Sequence, residues 1–419
     1  MSFPRYPAYK DSGVEWLGEV PEHWEVKPLR RLVEKTNAGE VIDRTYWGGS
    51  KELLYTCALQ PLDCDYEGFP DWKRTTLNDL LLTRNGTPYV HKPVYNAIYT
   101  NVVQRITLLP GEDRNFIAIA LGCSSENLRG YGVSIESLNY DMWKGLPIAI
   151  PPLPEQTRIA AFLDRETAKI DGLVAEQQRL IDLIKEKRQA VISHAVTKGL
   201  NPAAPMKPSG IEWLGDVPAH WEIRKVSHLF RAGKGKNGQM LTKEYCAANE
   251  GDFPVYSGQT ENDGVMGTWN QFEFDFEGAG VLFSTTVGSG KVMTLKHLYG
   301  KFSLSQNCMV IWPTSDVCLT RFYFYHFQPL FDVERSLIPQ HMQASFRMED
   351  LYSYIIAVPP VDEQHAIAGF IDLRTRDFDA LTAEAQRAID LLHERRTALI
   401  SAAVTGQIDV RHLAEAGAA

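Results

Sequence analysis

The sequence lacks paired cysteines and long apolar runs. Its six cysteines are scattered among 419 residues, with no Cys-x-x-Cys and no His-Cys spacing of the kind that zinc requires. We therefore interpret them as reduced, mostly buried thiols. No run of about 18 apolar residues is present, and the N-terminal MSFPRYPAYKDSG has neither the basic nor the apolar part of a signal peptide. We expect a cytoplasmic protein without a membrane segment.

An excess of basic charge is also missing. The net charge of −9 argues against a simple nucleic-acid binder, because phosphate neutralisation normally needs a basic surface. No Ser/His/Asp order, metal box or carboxylate pair stands out, so no metal is expected. The charge is uneven, however. The stretch 223–243 contains six basic residues and no acidic one, and the stretch 26–35 contains four basic residues and one acidic residue.

What the chain does contain is an internal repeat. SGVEWLGEVPEHWE, from Ser12, recurs as SGIEWLGDVPAHWE from Ser209, 197 positions later, with eleven of fourteen letters identical. A second segment of 47 residues from Pro151 recurs from Pro359, at an offset of 208 and without a gap. The two halves share their ends and differ in their middles. A length of 419 residues and this duplication predict two domains on a repeated framework.

The second repeated segment predicts a long helix in each half. Apolar residues recur at a seven-residue interval, with a companion row beside them. Gly199 and Gly406 are expected to end the two helices. Such a narrow stripe predicts that the helices pack on each other. The predicted packing residues are Leu163, Ile170, Leu173, Leu180, Ile184 and Val191 in the first helix and Ile371, Phe378, Leu381, Leu392 and Leu399 in the second.

The connection between the halves predicts the direction of the helices. The linker 199–208 is too short to run back along a helix of about 42 residues, which is roughly 60 Å long. The second helix must therefore return antiparallel to the first. The sequence predicts an α+β fold, in which two mixed α/β domains are joined by two long antiparallel helices that form a coiled coil with an approximate twofold repeat.

The predicted boundaries follow the repeats. They are 1–151 for the N-terminal segment and first variable domain, 152–198 for the first helix, 199–208 for the linker, 209–358 for the second repeat and variable domain, 359–406 for the second helix and 407–419 for a C-terminal tail.

The variable middles read as mixed α/β, with a polar, glycine-containing turn after a strand in each. GSGK at 288–291 is not a phosphate loop, because Thr285 stands where a glycine is needed and Val292 where Ser or Thr is needed. Arg, Lys, Asn, Gln and small hydroxyl residues suit base edges. The candidate DNA-binding residues are Arg84, Asn85, Thr87, His91 and Lys92 in the first half, and Lys234, Lys236, Ser257, Gln259, Thr285, Thr286, Ser289, Lys291, Gln306, Asn307, Gln340 and His341 in the second.

Other conspicuous residues have a structural explanation. The repeated tryptophans are interpreted as buried anchors rather than base-stacking platforms, with the repeated histidines hydrogen-bonded beside them. The Glu-Gln pair that opens each helix is explained by the helix start, where a carboxylate faces the positive end of the dipole. No chemistry is assigned to these residues, which are Trp16, Trp24, Trp213, Trp221, His23, His220, Glu155, Gln156, Glu363 and Gln364.

At these residues the chain resembles a known family. EWLGEVPEHWE, the PPLPEQ helix opening and the order variable domain, helix, variable domain, helix resemble the specificity (S) subunit of Type I restriction-modification systems. The resemblance implies two target-recognition domains that each read half of a split DNA site. It also implies helices that set the spacer and dock two methyltransferase subunits. S-adenosylmethionine, ATP and Mg would then be bound by partner subunits, with restriction subunits possible among them. This chain would itself be non-catalytic and bind no cofactor.

Two alternatives remain open from the sequence. One is a coiled-coil scaffold without DNA specificity. The other is a self-contained adenine methyltransferase, which needs an Asn/Asp-Pro-Pro-aromatic tetrapeptide, whereas the Pro-Pro pairs here follow Ile150 and Val358.

Overall fold

The computed structural model describes residues 3–128, 138–259, 261–287, 292–339 and 344–413. The chain divides into two compact units. Unit 1 comprises Met1–Gln177 and Arg387–Ala419, and unit 2 comprises Gln178–Gln386. Each unit therefore combines one variable middle with parts of both long helices.

The elements up to the first long helix are β1 (Tyr9–Asp11), β2 (Glu19–Pro21), β3 (Glu25–Pro28), β4 (Val33–Ala38), β5 (Trp47–Tyr55), β6 (Leu62–Cys64), β7 (Asp79–Thr83), β8 (Val90–His91), β9 (Ile98–Tyr99), β10 (Val103–Leu108), α1 (Arg114–Ser124), α2 (Tyr140–Gly145), β11 (Pro147–Ile150) and α3 (Leu153–Lys198). The remaining elements are β12 (Met206–Pro208), β13 (Asp216–Pro218), β14 (Glu222–Lys225), α4 (Val226–Leu229), β15 (Phe230–Gly233), α5 (Lys243–Ala248), β16 (Phe253–Tyr256), β17 (Val265–Trp269), β18 (Phe274–Thr285), β19 (Leu295–Leu304), β20 (Cys308–Pro313), α6 (Thr320–Ser336), α7 (Met348–Ser353), β21 (Ile355–Val358) and α8 (Val361–Val404).

The two variable middles are built on different sheets. Unit 1 has a four-stranded sheet of order β4-β10-β7-β8 and a three-stranded sheet of order β6-β5-β9. Unit 2 has one six-stranded sheet of order β15-β20-β18-β19-β16-β17. The repeated ends, by contrast, form the same pairs twice. The hairpin β1-β2 corresponds to β12-β13, and the antiparallel pair β3-β11 corresponds to β14-β21.

A carboxylate at the start of each long helix ties the repeated segment to that helix. In unit 1, Glu155 accepts hydrogen bonds from Trp24 Nε1 at 3.1 Å and from Tyr6 OH at 2.6 Å, and lies 2.9 Å from His23 Nε2. Trp24 is fully buried. The predicted anchor role of this tryptophan and the histidine beside it is confirmed.

Unit 2 repeats this arrangement. Glu363 accepts a hydrogen bond from the buried Trp221 Nε1 at 2.9 Å and lies 2.6 Å from His220 Nε2. The difference is in burial, because the Glu155 side chain is 7% exposed and that of Glu363 is 41% exposed. Tyr6 and the C-terminal Arg411, whose guanidinium lies 4.9 Å from the Tyr6 ring centroid, cover the first site.

Glycine ends each long helix beside the equivalent tryptophan of the repeated segments, Trp24 for Gly406 and Trp221 for Gly199. Gly199 and Gly406 have φ values of 73° and 75°, which suit glycine at a helix C-terminus. A Cβ on Gly406 would lie 2.3 Å from Pro21 Cδ, and one on Gly199 would lie 3.3 Å from the Trp221 ring. The predicted helix ends are therefore also points of close packing.

The two long helices pack antiparallel within each unit. In unit 1, Arg396 Nε donates to Asp171 Oδ1 at 3.0 Å, and in unit 2, Arg188 Nη1 donates to Asp379 Oδ1 at 2.7 Å. The two ion pairs are equivalent under the 208-residue repeat, with the partners exchanged between helices. The predicted antiparallel pairing and internal repeat are confirmed.

Most of the predicted seven-residue row of packing residues is buried. Leu163, Ile170, Ile184, Ile371, Phe378 and Leu399 are buried, and Val191 and Leu392 are half-buried. The companion row is wrong by one position. Leu173, Leu180 and Leu381 are 44 to 50% exposed, and the packing positions are the next residues along the helix, which are Val174, Ile181 and Thr382.

The cysteines behave as the sequence predicts. All six are free, and four of them are buried. Burial raises the pKa of Cys308 and Cys318 to about 11 each. None of the helices within the described ranges combines the length and the apolarity needed to cross a bilayer.

Candidate nucleic-acid interface

The turn that follows β7 in unit 1 is held by its own hydrogen bonds. Thr83 Oγ1 donates to the carbonyl of Thr87 at 3.0 Å and accepts from the Tyr89 N–H at 2.9 Å. Gly86 has φ 75°, and a Cβ there would meet nothing within 4 Å. The turn is thus fixed at its base and open at its tip, and Thr87 is exposed.

Arg84 and Asn85 line a small polar cleft at this turn. The Arg84 N–H donates to the carbonyl of Val102 at 2.9 Å, and its Nη1 donates to the carbonyl of Asn101 at 3.2 Å. The cleft has a volume of about 160 Å³. Asn101 and Asn139 also line it. Sequence reasoning missed these two amides, because they come from segments that only the fold brings to the turn.

His91 does not belong to the open tip of the turn, which corrects its predicted contact with DNA. The side chain is buried, and its Nε2 lies 3.2 Å from the carbonyl of Thr56. Burial lowers the pKa of His91. Lys92, the next residue, is exposed, with Nζ 3.4 Å from Asn115 Oδ1.

Thr285 and Thr286 at the end of β18 also require a correction. Both are buried. Thr285 Oγ1 accepts from the Thr294 N–H at 2.9 Å, and the Thr286 carbonyl accepts from the Phe346 N–H at 2.7 Å. These hydroxyl residues therefore belong to the interior of unit 2. Ser289, Lys291, Gln340 and His341 lie outside the described residues.

The other candidates of unit 2 meet at one end of the six-stranded sheet. The Thr286 N–H donates to the carbonyl of Asn307 at 2.8 Å. A Cβ on Gly238 would lie 3.1 Å from Gln306 Cα, and one on Gly258 would lie 3.4 Å from Thr285 Cγ2. These approaches bring together the segments that carry Lys234, Lys236, Ser257, Gln259, Gln306 and Asn307, which we call the sheet-end cluster.

The sheet-end cluster contains both fixed and free side chains. Gln259 is fixed, because its Nε2 donates to the carbonyl of Val265 at 2.7 Å. Gln306 and Asn307 are exposed. Lys234 and Lys236 are also exposed, and neither forms an ion pair within the part of the chain that the structure describes. The cluster thus presents amides and ammonium groups to solvent.

Lys234 and Lys236 give the cluster positive charge, and they lie in the basic stretch 223–243. The six basic residues of 223–243 are all exposed, and Arg224 forms an ion pair with Glu222 at 2.5 Å. One carboxylate lies beneath the segment, where Glu273 Oε1 accepts from the Asn237 N–H at 2.7 Å. Such a surface suits a polyanion with hydrogen-bonding edges. No group of three or more His, Cys, Asp or Glu within the described ranges is placed to hold a metal ion.

Comparison with known proteins finds similarity to one family of sequences. Residues 218–390 match the family described as Type I restriction modification DNA specificity domain. A protein of Methanocaldococcus jannaschii named as the MjaX specificity subunit of a type I restriction enzyme is 21% identical, over 94% of this chain and 96% of its own length. A type I specificity subunit by name from Mycoplasma pneumoniae, S.MpnORF201P, is 25% identical over 54% of this chain and 82% of its own.

Solved structures share the fold. A chain from a structure concerned with complex assembly and conformational transition of the type I R-M system matches with a TM-score of 0.68 and 13% identity, over 92% of this chain and 98% of that one. The HsdS subunit from Thermoanaerobacter tengcongensis matches with a TM-score of 0.50 and 14% identity, over 93% and 98%. The predicted α+β fold with paired long helices is confirmed.

Proposed function

Because this chain belongs to the specificity subunits of Type I restriction-modification systems, we propose that it reads a split DNA site with its two variable middles. The main support for the proposal is that the repeated segments form the same contacts in both units, whereas the two variable middles form different sheets. The same Trp-Glu ties occur in both units, whereas the sheets differ in strand number and order. One frame thereby holds two different reading surfaces, which suits two unlike half-sites.

We place the reading surface of unit 2 at the sheet-end cluster and that of unit 1 at the turn of Arg84, Asn85 and Thr87. Arginine, asparagine and glutamine match base edges in the major groove, and lysines contact phosphates. The cluster's lysines stand beside exposed amides of Gln306 and Asn307, so phosphate and base contacts lie within one surface. We propose that the chain itself performs no catalysis and binds no cofactor, and that S-adenosylmethionine, ATP and Mg act on partner subunits.

Replacing Lys234 and Lys236 together with glutamine tests the DNA surface. Each phosphate contact contributes a slope of about −0.9 to the dependence of log affinity on log salt. We expect weaker binding to all duplexes alike, and a salt slope smaller in magnitude by about 2. Fluorescence anisotropy of labelled duplexes across a salt series, in the presence of the partner methyltransferase, measures both quantities.

The matched control removes the same charge from the helix surface. Lys185 and Lys187 are exposed on α3, and their replacement with glutamine is expected to leave the slope unchanged. Equal salt slopes for the two double variants would show that the sheet-end cluster is not part of the DNA-binding surface.

We further propose that exposed leucines on the long helices dock two copies of a methyltransferase subunit. Under the 208-residue repeat, Leu173 corresponds to Leu381 and Leu183 to Leu391. All four side chains are 46 to 63% exposed. Unit 1 carries Leu173 and Leu391, and unit 2 carries Leu381 and Leu183. Exposed apolar side chains often mark binding surfaces. Because these leucines occupy equivalent positions in the two units, two identical partners explain their exposure better than chance does.

Glutamate at Leu173 and Leu391 is expected to abolish one of the two docking sites. The chain should stay folded, since both side chains are largely exposed. Native mass spectrometry with the methyltransferase should then report one bound copy where the wild type binds two. Leu77→Glu, on an equally exposed leucine of unit 1 outside the helices, should retain two copies, and two copies on the double variant would contradict the placement.

A further inference from the structure

Unit 1 contains an open cleft between α1 and the long helices. Its volume is about 610 Å³. Tyr89 and His91 stand on one wall, with ring centroids 4.7 Å apart. Asp164 and Thr167 of α3 stand on the opposite wall. Its lining shares no residue with the small polar cleft of Arg84 and Asn85.

The internal repeat provides a counterpart of this cleft in unit 2. Gln156 Oε1 accepts from the Asp113 N–H at 2.8 Å, just before α1. Gln364 Oε1 accepts from the Leu319 N–H at 2.7 Å, just before α6. The two helices therefore begin at equivalent positions, offset by 206 residues. Along the long helices the offset is 208, so that Asp164 corresponds to Asp372.

In unit 2 the equivalent carboxylate is occupied by the chain itself. Arg321 Nε donates to Asp372 Oδ1 at 3.0 Å, and its Nη2 bonds the same oxygen. Tyr325 OH donates to Asp372 Oδ1 at 2.5 Å. Arginine and tyrosine are four residues apart and so lie on one face of α6. Unit 2 thus shows which chemistry this helix position accepts.

In unit 1 the corresponding helix, α1, supplies neither group. The positions of Arg321 and Tyr325 are taken by Asn115 and Ile119. The Asp164 side chain is exposed and makes no hydrogen bond or ion pair within the residues that the structure describes. The carboxylate is therefore present in both units, and its arginine in only one.

The cleft is open because α1 has small residues where α6 has large ones. Ala118 stands in the place of Phe324, and Gly122 in the place of Gln328. A Cβ on Gly122 would meet nothing within 4 Å. The space that α6 fills with its own side chains is thus left free beside α1.

We propose that this cleft docks an arginine-bearing helix of a partner protein. A guanidinium can take both oxygens of Asp164 in a bidentate bond, as a planar donor pair suits a carboxylate. The half-exposed ring of Tyr89 offers a face for cation–π contact. Lys92 and Arg396 line the cleft together with Asp164 and Glu126, but Arg396 is already paired with Asp171, so the carboxylate of Asp164 is left for an incoming cation. The site goes beyond DNA recognition and exists once per chain, because unit 2 fills its own copy.

Binding of a defined peptide to the full chain tests the proposal. The probe is a fluorescent, alanine-rich helical peptide that carries arginine and, four residues later, tyrosine. We expect saturable binding in an anisotropy titration, weakened at least tenfold when citrulline, a neutral isostere, replaces the arginine. Asp164→Asn should weaken binding of the arginine peptide by a similar factor. Gly122→Gln should also weaken it, because the added side chain occupies open space in the cleft.

The control places the same side chain elsewhere on a helix. Gly172 of α3 is exposed, and a Cβ there also meets nothing within 4 Å, so Gly172→Gln should bind the peptide as the wild type does. Equal affinity for the citrulline peptide, or an unaffected Asp164→Asn variant, would overturn the proposal. Displacement of the peptide by duplex DNA would do so too, as it would make the cleft a nucleic-acid surface. DNA affinity is expected to be unchanged in all these variants, so failure here leaves the proposed DNA-reading function untouched.

Discussion

Replacing Glu155 with alanine is expected to lower the free energy of unfolding of unit 1 by about 3 to 5 kcal/mol. The carboxylate is buried and serves three groups, which are Tyr6 OH, His23 Nε2 and Trp24 Nε1. Without it, the Trp24 N–H and the Tyr6 hydroxyl remain buried without an acceptor, and each unsatisfied donor costs about 1 to 3 kcal/mol. Hydrogen exchange of the peptides around residues 3–28 measures the loss locally.

The internal copy supplies the control for this variant. Among the residues that the structure describes, Glu363 bonds to His220 and Trp221 alone, and its side chain is 41% exposed. Water can therefore replace part of what alanine removes. We expect Glu363→Ala to cost about 1 to 2 kcal/mol, seen in exchange around residues 206–225. Equal losses of unfolding free energy in the two units would show that burial by Tyr6 and Arg411 adds nothing to the stability that the glutamate provides.

The repeated frame could be predicted from the sequence because its signals are local. The tryptophan lies in a segment that occurs twice, and the Glu-Gln pair lies at the start of a helix with periodic apolar residues. Each pattern indicates a structural role without knowledge of distant contacts. The structure adds the connection between them. Trp24 and Glu155 are 131 positions apart, and no spacing rule joins residues at that separation.

The helix seam shows where periodicity stops being informative. The seven-residue row through Leu163 and Ile170 is unambiguous, but two companion rows are possible, three or four positions further on. Leu173 and Leu381 favour the row that lies three positions further on, whereas the antiparallel helices pack through the row that lies four positions further on. The amino-acid type alone does not distinguish an exposed leucine from one buried between the helices, so only the packing separates the two.

The reading surface could be predicted only in part. The last six residues of β18 are all buried, so both faces of the strand are covered and the usual alternation of inward and outward residues is lost. Thr285 and Thr286 therefore look like a strand-end polar pair in the sequence and prove to be interior residues. Lys234 and Gln306, by contrast, stay exposed, because glycine-rich and turn segments carry them at the surface.

The stability of unit 2 is expected to fall as the pH drops below about 6.5, because of His326. This residue of α6 is fully buried, with Nδ1 3.1 Å from the carbonyl of Val196 on α3 and Nε2 accepting from the Ala357 N–H at 3.4 Å. A neutral ring makes both bonds, whereas a protonated ring has no acceptor for Ala357. Burial lowers the pKa of His326 to about 4.

The direction of the effect follows from proton linkage. The unfolded chain binds a proton at this residue near pH 6.5, and the folded chain does so only near pH 4, so stability is complete above pH 6.5 and is lost progressively between these values. The full loss is roughly 3 kcal/mol. His326→Gln keeps a donor for Val196 and an acceptor for Ala357 but does not titrate. Urea unfolding between pH 7.5 and 4.5 should therefore show the wild type losing stability faster than the variant, and parallel curves would mean that His326 does not couple protons to the folding of unit 2.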